Sequence, residues 1–424
     1  MTVDKRPYDL VLFGASGYTG RLVAEVLQAA TQGPGAREAG LRWALAGRQP
    51  ARLAAVRDAI GAGPALPLLS ADAHDAVALA SLARSARVVI TTVGPYQRHG
   101  EALVTACAEA GTDYVDLCGE PLWMARMIGR LQPVAARSGA RIVFSCGFDS
   151  VPFDLGVLVL QQGLQQRSGA TAREVRARVR VMKGTFSGGT VASALATVEA
   201  IAREPALAAV MADPFALTPG FVGPPQPAPG AGWDDWAGAW CGPFVMAPIN
   251  TKNVHRTHAL RGHPWGADFR YDERQIAGTG GLGLGRALAQ AQRARLLEAV
   301  LRCAPARALV GRWLLPQPGQ GPRREAREAG CFELSFTGQT PAGERASVIV
   351  SGDRDPGYGS TSRMVTEAAL ALLHDVGRDA TPGGVWTPGA ALGLALVRRL
   401  EAHAGLSFRF EAPAGAAAPP ARLP

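Results

Sequence analysis

Three glycines spaced Gly14-x-x-Gly17-x-x-Gly20 separate a short apolar run, Leu10-Val11-Leu12-Phe13, from a stretch of helical periodicity, Leu22, Val23, Val26 and Leu27. A strand, a glycine turn and a helix in that order let the backbone approach a pyrophosphate closely. The helix start adds unpaired N–H groups and the positive end of a dipole. Gly14, Ser16, Gly17, Tyr18, Thr19 and Gly20 are therefore candidate dinucleotide contacts. The end of the second strand indicates which dinucleotide. An acidic residue there would accept from a ribose hydroxyl, but the sequence reads Ala46-Gly47-Arg48. Arginine cannot accept, yet it pairs well with a 2′-phosphate. NADP is expected over NAD; the plain alternative is a surface arginine.

Other residue types with chemistry fall where strands should end. Thr91-Thr92-Val93-Gly94-Pro95-Tyr96 closes a fourth strand. Gly94 and Pro95 would line the cofactor there. Tyr96 is a candidate proton donor, or else a packing ring. Asp116, Gly119 and Glu120 end a fifth strand, and Gly147-Phe148-Asp149-Ser150 a sixth. Glu120, Asp149 and Ser150 are candidates to orient substrate; capping of the next helix is the competing reading. Ser187, Gly188, Gly189 and Thr190 open a helix whose free amides suit a carboxylate, a thioester oxygen or a phosphate. Lys183 is one of three lysines, so a titratable amine at the site is a candidate beside a chance surface residue. His255, His258 and His263 lack a companion cysteine or an i, i+4 pair, so no metal is expected.

These residues need a scaffold. Strand-like runs near Leu41–Ala46, Leu66–Leu69, Arg87–Thr92, Tyr114–Leu117 and Arg141–Ser145 alternate with helical patterns. That alternation predicts a doubly wound parallel sheet in an α/β domain. After about residue 167 the period changes to two: Val175, Ala177, Val179 and Val181 alternate with Arg176, Arg178 and Arg180. The arginines are read as a solvated strand face. Phe332, Leu334 and Phe336 alternate likewise, and a second α+β domain on a mostly antiparallel sheet is expected. Residues 278–285 are glycine-dense, and 286–312 read as a basic amphipathic helix: a lid, a dimer element or a membrane contact. The organisation expected is 1–165 for the dinucleotide domain and 166–384 for the second. A segment 385–410 follows, with a disordered tail at 411–424.

The chain has 424 residues and a formal net charge of +9; 41 of its 44 basic residues are arginine. They are dispersed, with no dense basic run, so a solvated basic surface is favoured over nucleic-acid binding. Six cysteines form no C-x-x-C pair, which argues against a disulfide framework or a zinc site. No apolar stretch is long enough to span a bilayer. A cytoplasmic protein is expected, with peripheral membrane contact open.

The motifs Gly14-Ala15-Ser16-Gly17-Tyr18-Thr19-Gly20, Ala46-Gly47-Arg48 and Thr92-Val93-Gly94-Pro95-Tyr96 form one set with three others. Those are Asp113 to Glu120, Gly147 to Pro152, and Ser187 to Thr190. With Gly384-Val385-Trp386-Thr387-Pro388-Gly389, the whole resembles the saccharopine dehydrogenase-like oxidoreductases, and within them the trans-acting enoyl reductase family. The resemblance implies a Rossmann domain, a second domain inserted before a C-terminal return, and NADPH as hydride donor. The implied substrate is an acyl or polyketide thioester presented by a polyketide synthase, with the Ser187–Thr190 helix start binding the thioester oxygen. A reductase of an imine or amino-acid conjugate is the alternative on the same fold. A non-catalytic NADP-binding, membrane-associated protein is another; a homodimer is compatible with each.

Overall fold

In the first strand, Tyr8–Phe13 (β1), the last four residues are fully buried. An unbroken apolar run belongs to a strand covered on both faces. In the computed structural model, which describes residues 6–32, 36–184, 188–303, 305 and 321–411, β1 lies inside a seven-stranded parallel sheet. Its companions are Trp43–Gly47 (β2), Leu68–Ser70 (β3), Ala86–Thr91 (β4), Asp113–Val115 (β5), Arg141–Val143 (β6) and Gly384–Trp386 (β13). The order is β13-β6-β5-β4-β1-β2-β3. Strand order reverses between β1 and β4, and that switch point opens a crevice at their carboxyl ends. Helix Tyr18–Thr31 covers one face beside helix Thr361–His374, and helices Ala76–Ser85, Glu101–Ala110 and Pro121–Ser138 form a second layer.

The second sheet runs β14-β12-β11-β7-β10-β9-β8, where β7 is Glu174–Lys183, β8 Gly232–Asp234, β9 Ala239–Pro243 and β10 Arg270–Gly278. The others are β11 at Cys331–Gln339, β12 at Arg345–Gly352 and β14 at Leu406–Glu411. Only the β7–β10 pairing is parallel. Strict alternation in β11 turns Phe332, Leu334 and Phe336 inward. They meet helix Val151–Ser168, where Gly156 leaves room for the Phe336 ring, 2.5 Å from where a Cβ would stand.

Packing divides the chain differently from the expected boundaries. Helix Val151–Ser168 packs on the second sheet although most of it precedes the expected boundary at residue 165. Helix Thr361–His374, placed by its number in the second domain, packs on β4, β5 and helix Tyr18–Thr31. Its buried face is rich in alanine (Ala368, Ala369, Ala371), which permits that close approach. Of the segment 385–410, β13 pairs with β6, but Leu406–Glu411 pairs antiparallel with β12 in the other sheet. The tail expected from residue 411 therefore starts as strand; 412–424 lie outside the described residues. The chain crosses between layers more often than a two-block division allows, because periodicity fixes an element's type and not its neighbour.

The arginine face of β7 also needs correction. Arg178 is 4% exposed and is paired with Asp234 and Asp272. Arg176 lies 3.9 Å above the Trp236 ring, and only Arg180, paired with Glu333, is largely in water. The glycine-dense stretch is helical from Gly280, and the helix runs to Arg302 with Leu282, Leu288, Leu296 and Leu297 exposed. Residues 306–312 of the expected helix lie outside the described residues. Among those described, no helix is long and apolar enough to cross a membrane.

Candidate active site

The glycine turn is built by steric necessity at two of its three glycines. Gly14 has φ +90°, and a Cβ there would stand 2.6 Å from Val93 Cγ2 and 2.8 Å from Thr92 Oγ1. The turn is thus pressed against the end of β4, and Thr92 N–H donates to the Phe13 carbonyl at 3.1 Å. A Cβ on Gly20 would overlap the Gly14 carbonyl and lie 2.8 Å from Ala15 Cα, which fixes the helix against the turn. Gly17 differs: a Cβ there would have one neighbour within 4 Å, the Gly14 carbonyl at 3.3 Å. Its open side suits close approach by a ligand.

Gly17 is the N-cap of helix Tyr18–Thr31, with no side-chain cap and no acidic residue in the first turn. Uncapped first-turn amides have no intrahelical acceptor and favour an anion. Ser16 Oγ stands 3.8 Å from where a Gly47 Cβ would be, so its hydroxyl adjoins the end of β2. Arg48 follows, its side chain 73% exposed and held by one long ion pair, 3.8 Å to Asp72. These residues fit a phosphorylated dinucleotide: open amides for the pyrophosphate, and a loosely engaged guanidinium for a 2′-phosphate.

Tyr18 has a second task. Its hydroxyl donates to the Pro322 carbonyl and accepts from Arg327 at 2.7 Å, while its ring meets Tyr358 edge-on at 4.7 Å. Tyr358 in turn accepts from the Gly188 amide at 3.0 Å. The helix start at Gly188–Thr190, expected to offer free amides to a ligand, commits the Gly188 amide to Tyr358. Ser187 lies outside the described residues. Lys183 is exposed at the last position of β7, in register with Cys331.

The expected proton donor Tyr96 is 4% exposed, packed against Trp123 at 5.6 Å. Its hydroxyl accepts from Leu117 N–H at 3.0 Å and lies 3.3 Å from the Thr91 carbonyl. Burial pushes its phenol well above the ordinary range. The ring pins the ends of β4 and β5 together, and its proton stays inside the protein. Tyr96→Phe should keep kcat within about threefold and lose about 1 kcal/mol of stability, the net worth of one hydrogen bond; steady-state rates and a urea melt check this.

Glu120 and Ser150 are likewise used internally. Glu120 is fully buried and accepts from the Tyr96 and Gln97 amides, each at 2.8 Å, and from Ser193 Oγ at 2.6 Å. Ser150 is 1% exposed, donates to the Asp149 carbonyl and accepts from Asn253 Nδ2 at 2.6 Å. Neither side chain is placed to reach a substrate. Asp149 keeps a partly exposed carboxyl, and burial of its surroundings raises it to about 6. The histidines sit in an aromatic cluster: His258 stacks on Trp265 at 4.9 Å, and His255 meets Phe215 at a tilt at 4.6 Å. Burial lowers them to about 4 and about 3 respectively.

Sequence reasoning missed Asn253, a fully buried amide that clamps the loop after β6 from helix Ala247–Leu260. Its signal was a helix whose inward positions are polar.

Residues 10–143 match the family described as saccharopine dehydrogenase NADP binding domain. A Mycobacterium tuberculosis protein with the provisional name trans-acting enoyl reductase is 40% identical over 96% of this chain and 99% of its own. The chain belongs to the trans-acting enoyl reductase family. A Mycobacterium ulcerans member, named trans-acting enoyl reductase, is 35% identical over 94% of this chain and 97% of its own. The family's NADP-binding domain coincides with the β1–β6 sheet, so the dinucleotide and oxidoreductase expectations hold. In fold the chain is similar to apo saccharopine dehydrogenase (L-Glu forming) from Saccharomyces cerevisiae, at TM-score 0.53 and 14% identity over 96% of this chain and 99% of that one.

Proposed function

We propose that this member of the family reduces the carbon–carbon double bond of an acyl thioester made by a separate polyketide synthase. The observation that carries the reading is the near-full-length similarity to proteins of that name, which covers both sheets. NADPH, when bound, supplies the hydride. The Gly14–Gly20 turn and the amides of Tyr18, Thr19 and Gly20 hold the pyrophosphate. Ser16 and Arg48 recognise the 2′-phosphate. Gly94 and Pro95, at the far lip of the crevice, would line the nicotinamide end, with the loops after β5 and β6 beside it.

The test is NADPH oxidation followed over enoyl thioesters from crotonyl to long-chain, against imine and keto-acid panels. Turnover confined to enoyl thioesters is expected. Turnover on the imines would favour the saccharopine dehydrogenase-like reading, and none on any panel a non-catalytic role. In the same assay Arg48→Ala should narrow the NADPH-over-NADH preference about tenfold, one charge-assisted contact. An unchanged preference would remove Arg48 from the site.

A further inference from the structure

Four carboxyl side chains stand at or just beyond the carboxyl ends of β5 and β6, and three are sealed inside the protein. Asp116 is fully buried and accepts from Tyr114 Oη and from the Cys118 and Ser145 amides, at 2.9–3.0 Å. Glu120 accepts the three donors already named. Asp154 is fully buried; its Oδ2 accepts from the Gly389 amide at 2.6 Å, and its Oδ1, sealed from solvent, has no hydrogen-bond partner among the described residues. Among the described residues no hydrogen bond or ion pair engages the carboxyl of the fourth, Asp149, which is also the one of the four that reaches solvent.

The loop that carries it is rigid. Ser145 holds φ +62° and donates its hydroxyl to the Cys118 carbonyl at 2.6 Å, tying the end of β6 to the end of β5. The Phe148 amide donates to Thr361 Oγ1 at 3.1 Å, and the Phe148 ring sits against Phe332 and Phe153 at 4.8 and 5.8 Å. On the other side Ser150 Oγ donates to the Asp149 carbonyl and is itself held by Asn253 Nδ2. A free acid on a loop fixed at both flanks meets the demand on a proton donor, a held geometry and a transferable proton. It lies on the β5–β6 side of the switch point, the side of the nicotinamide end.

We propose that Asp149 is the catalytic acid that protonates the α-carbon of the substrate. The inference rests on the enoyl-reductase reading above. NADPH, when bound, would supply hydride, and with it an electron pair, to the β-carbon. The π pair moves onto the α-carbon and thioester oxygen as an enolate. That pair then takes the proton from the Asp149 carboxyl, which is left as carboxylate and recovers its proton from water. The carboxyl's value of about 6, set by burial alone, keeps about a tenth of it protonated at pH 7.

Two measurements test this. Asp149→Asn should lower kcat/KM for an enoyl thioester at least 100-fold, the usual scale for a lost general acid. NADPH affinity, read by fluorescence titration, should stay within about twofold. The wild-type rate should fall as pH rises past about 6, and Asp149→Glu should restore part of it. Independently of turnover, carbon-13 NMR of protein labelled at aspartate carboxyls should show a resonance, absent in Asp149→Asn, that titrates well above the other free aspartates. Activity of Asp149→Asn within threefold of an active wild type would overturn the inference alone, as would titration of that resonance in the ordinary aspartate range. A wild type inert toward every enoyl thioester would overturn the reading and the inference together.

Discussion

Gly20→Ala is expected to abolish NADPH binding and to destabilise the protein by about 3 kcal/mol, the upper range for an overpacked site. Alanine is worth about 1 kcal/mol more than glycine inside a helix, so propensity alone predicts the opposite sign. Geometry decides against it. The new Cβ would overlap the Gly14 carbonyl and stand 2.8 Å from Ala15 Cα, both backbone atoms that no rotamer change can move. Relief requires the helix Tyr18–Thr31 to shift away from the turn, which misaims the amides that would meet the pyrophosphate. Gly17→Ala separates fold from function. Its Cβ meets one protein atom at 3.3 Å, a contact that small adjustments absorb. The fold should hold, with a melting temperature within about 2 °C of wild type, since under 1 kcal/mol is involved. The methyl group would then occupy the open side of the turn, and NADPH Kd should rise tenfold or more, at least about 1.4 kcal/mol. Thermal melts and NADPH titrations on the two variants settle both points. If Gly17→Ala binds NADPH like wild type, the dinucleotide does not lie across this turn.

The contrast between these glycines bears on what a sequence discloses. The turn, the two sheets and the Arg48 position were legible because each depends on local signals: glycine spacing, apolar runs, a residue type at a strand end. Tyr96 and Glu120 stayed open between a ligand role and a structural one for the opposite reason. A strand's carboxyl end is where ligands bind, but it is also where neighbouring strands must be tied together, and both tasks attract polar residues. Tyr96 ties β4 to β5 through Leu117, and Glu120 ties the turn after β4 to helix Gly188–Arg203; neither partner is close in sequence. The buried half of the β7 arginine face escaped likewise, since Asp234 and Asp272 lie 56 and 94 residues from Arg178. The strand Leu406–Glu411 was open to a local reading. Leu406, Phe408 and Phe410 alternate at period two after the positive-φ Gly405, yet pairing with β12 could not be inferred. Asp149 was picked out by position, but its freedom from partners is a property of the whole edge.

Glu120→Ala is expected to cost about 2–6 kcal/mol, because it strands two amides at about 1–3 kcal/mol each. The Tyr96 and Gln97 N–H groups open the short helix Tyr96–His99 and have no intrahelical acceptor. The Glu120 carboxylate takes one on each oxygen and also faces the positive end of that turn. Glu120→Gln should recover little, since its amide nitrogen would point a donor at a donor. Ser193→Ala removes a single hydrogen bond and should cost about 1 kcal/mol. Its consequence is more local: Ser193, with Thr197 bonded to Gln97 and Glu199 paired with Arg98, joins helix Gly188–Arg203 to the end of β4. Hydrogen exchange in that helix should therefore quicken in both Glu120→Ala and Ser193→Ala. A double-mutant cycle between the two positions should give a coupling of at least 0.5 kcal/mol, as residues in direct contact do. A variant of Glu120 that keeps wild-type stability and exchange while raising KM for the thioester would show instead that the carboxylate leaves its amides to hold substrate. Three donors within 2.6–2.8 Å of a fully buried carboxylate argue for the anchor. Through it helix Gly188–Arg203 is fixed to the turn after β4.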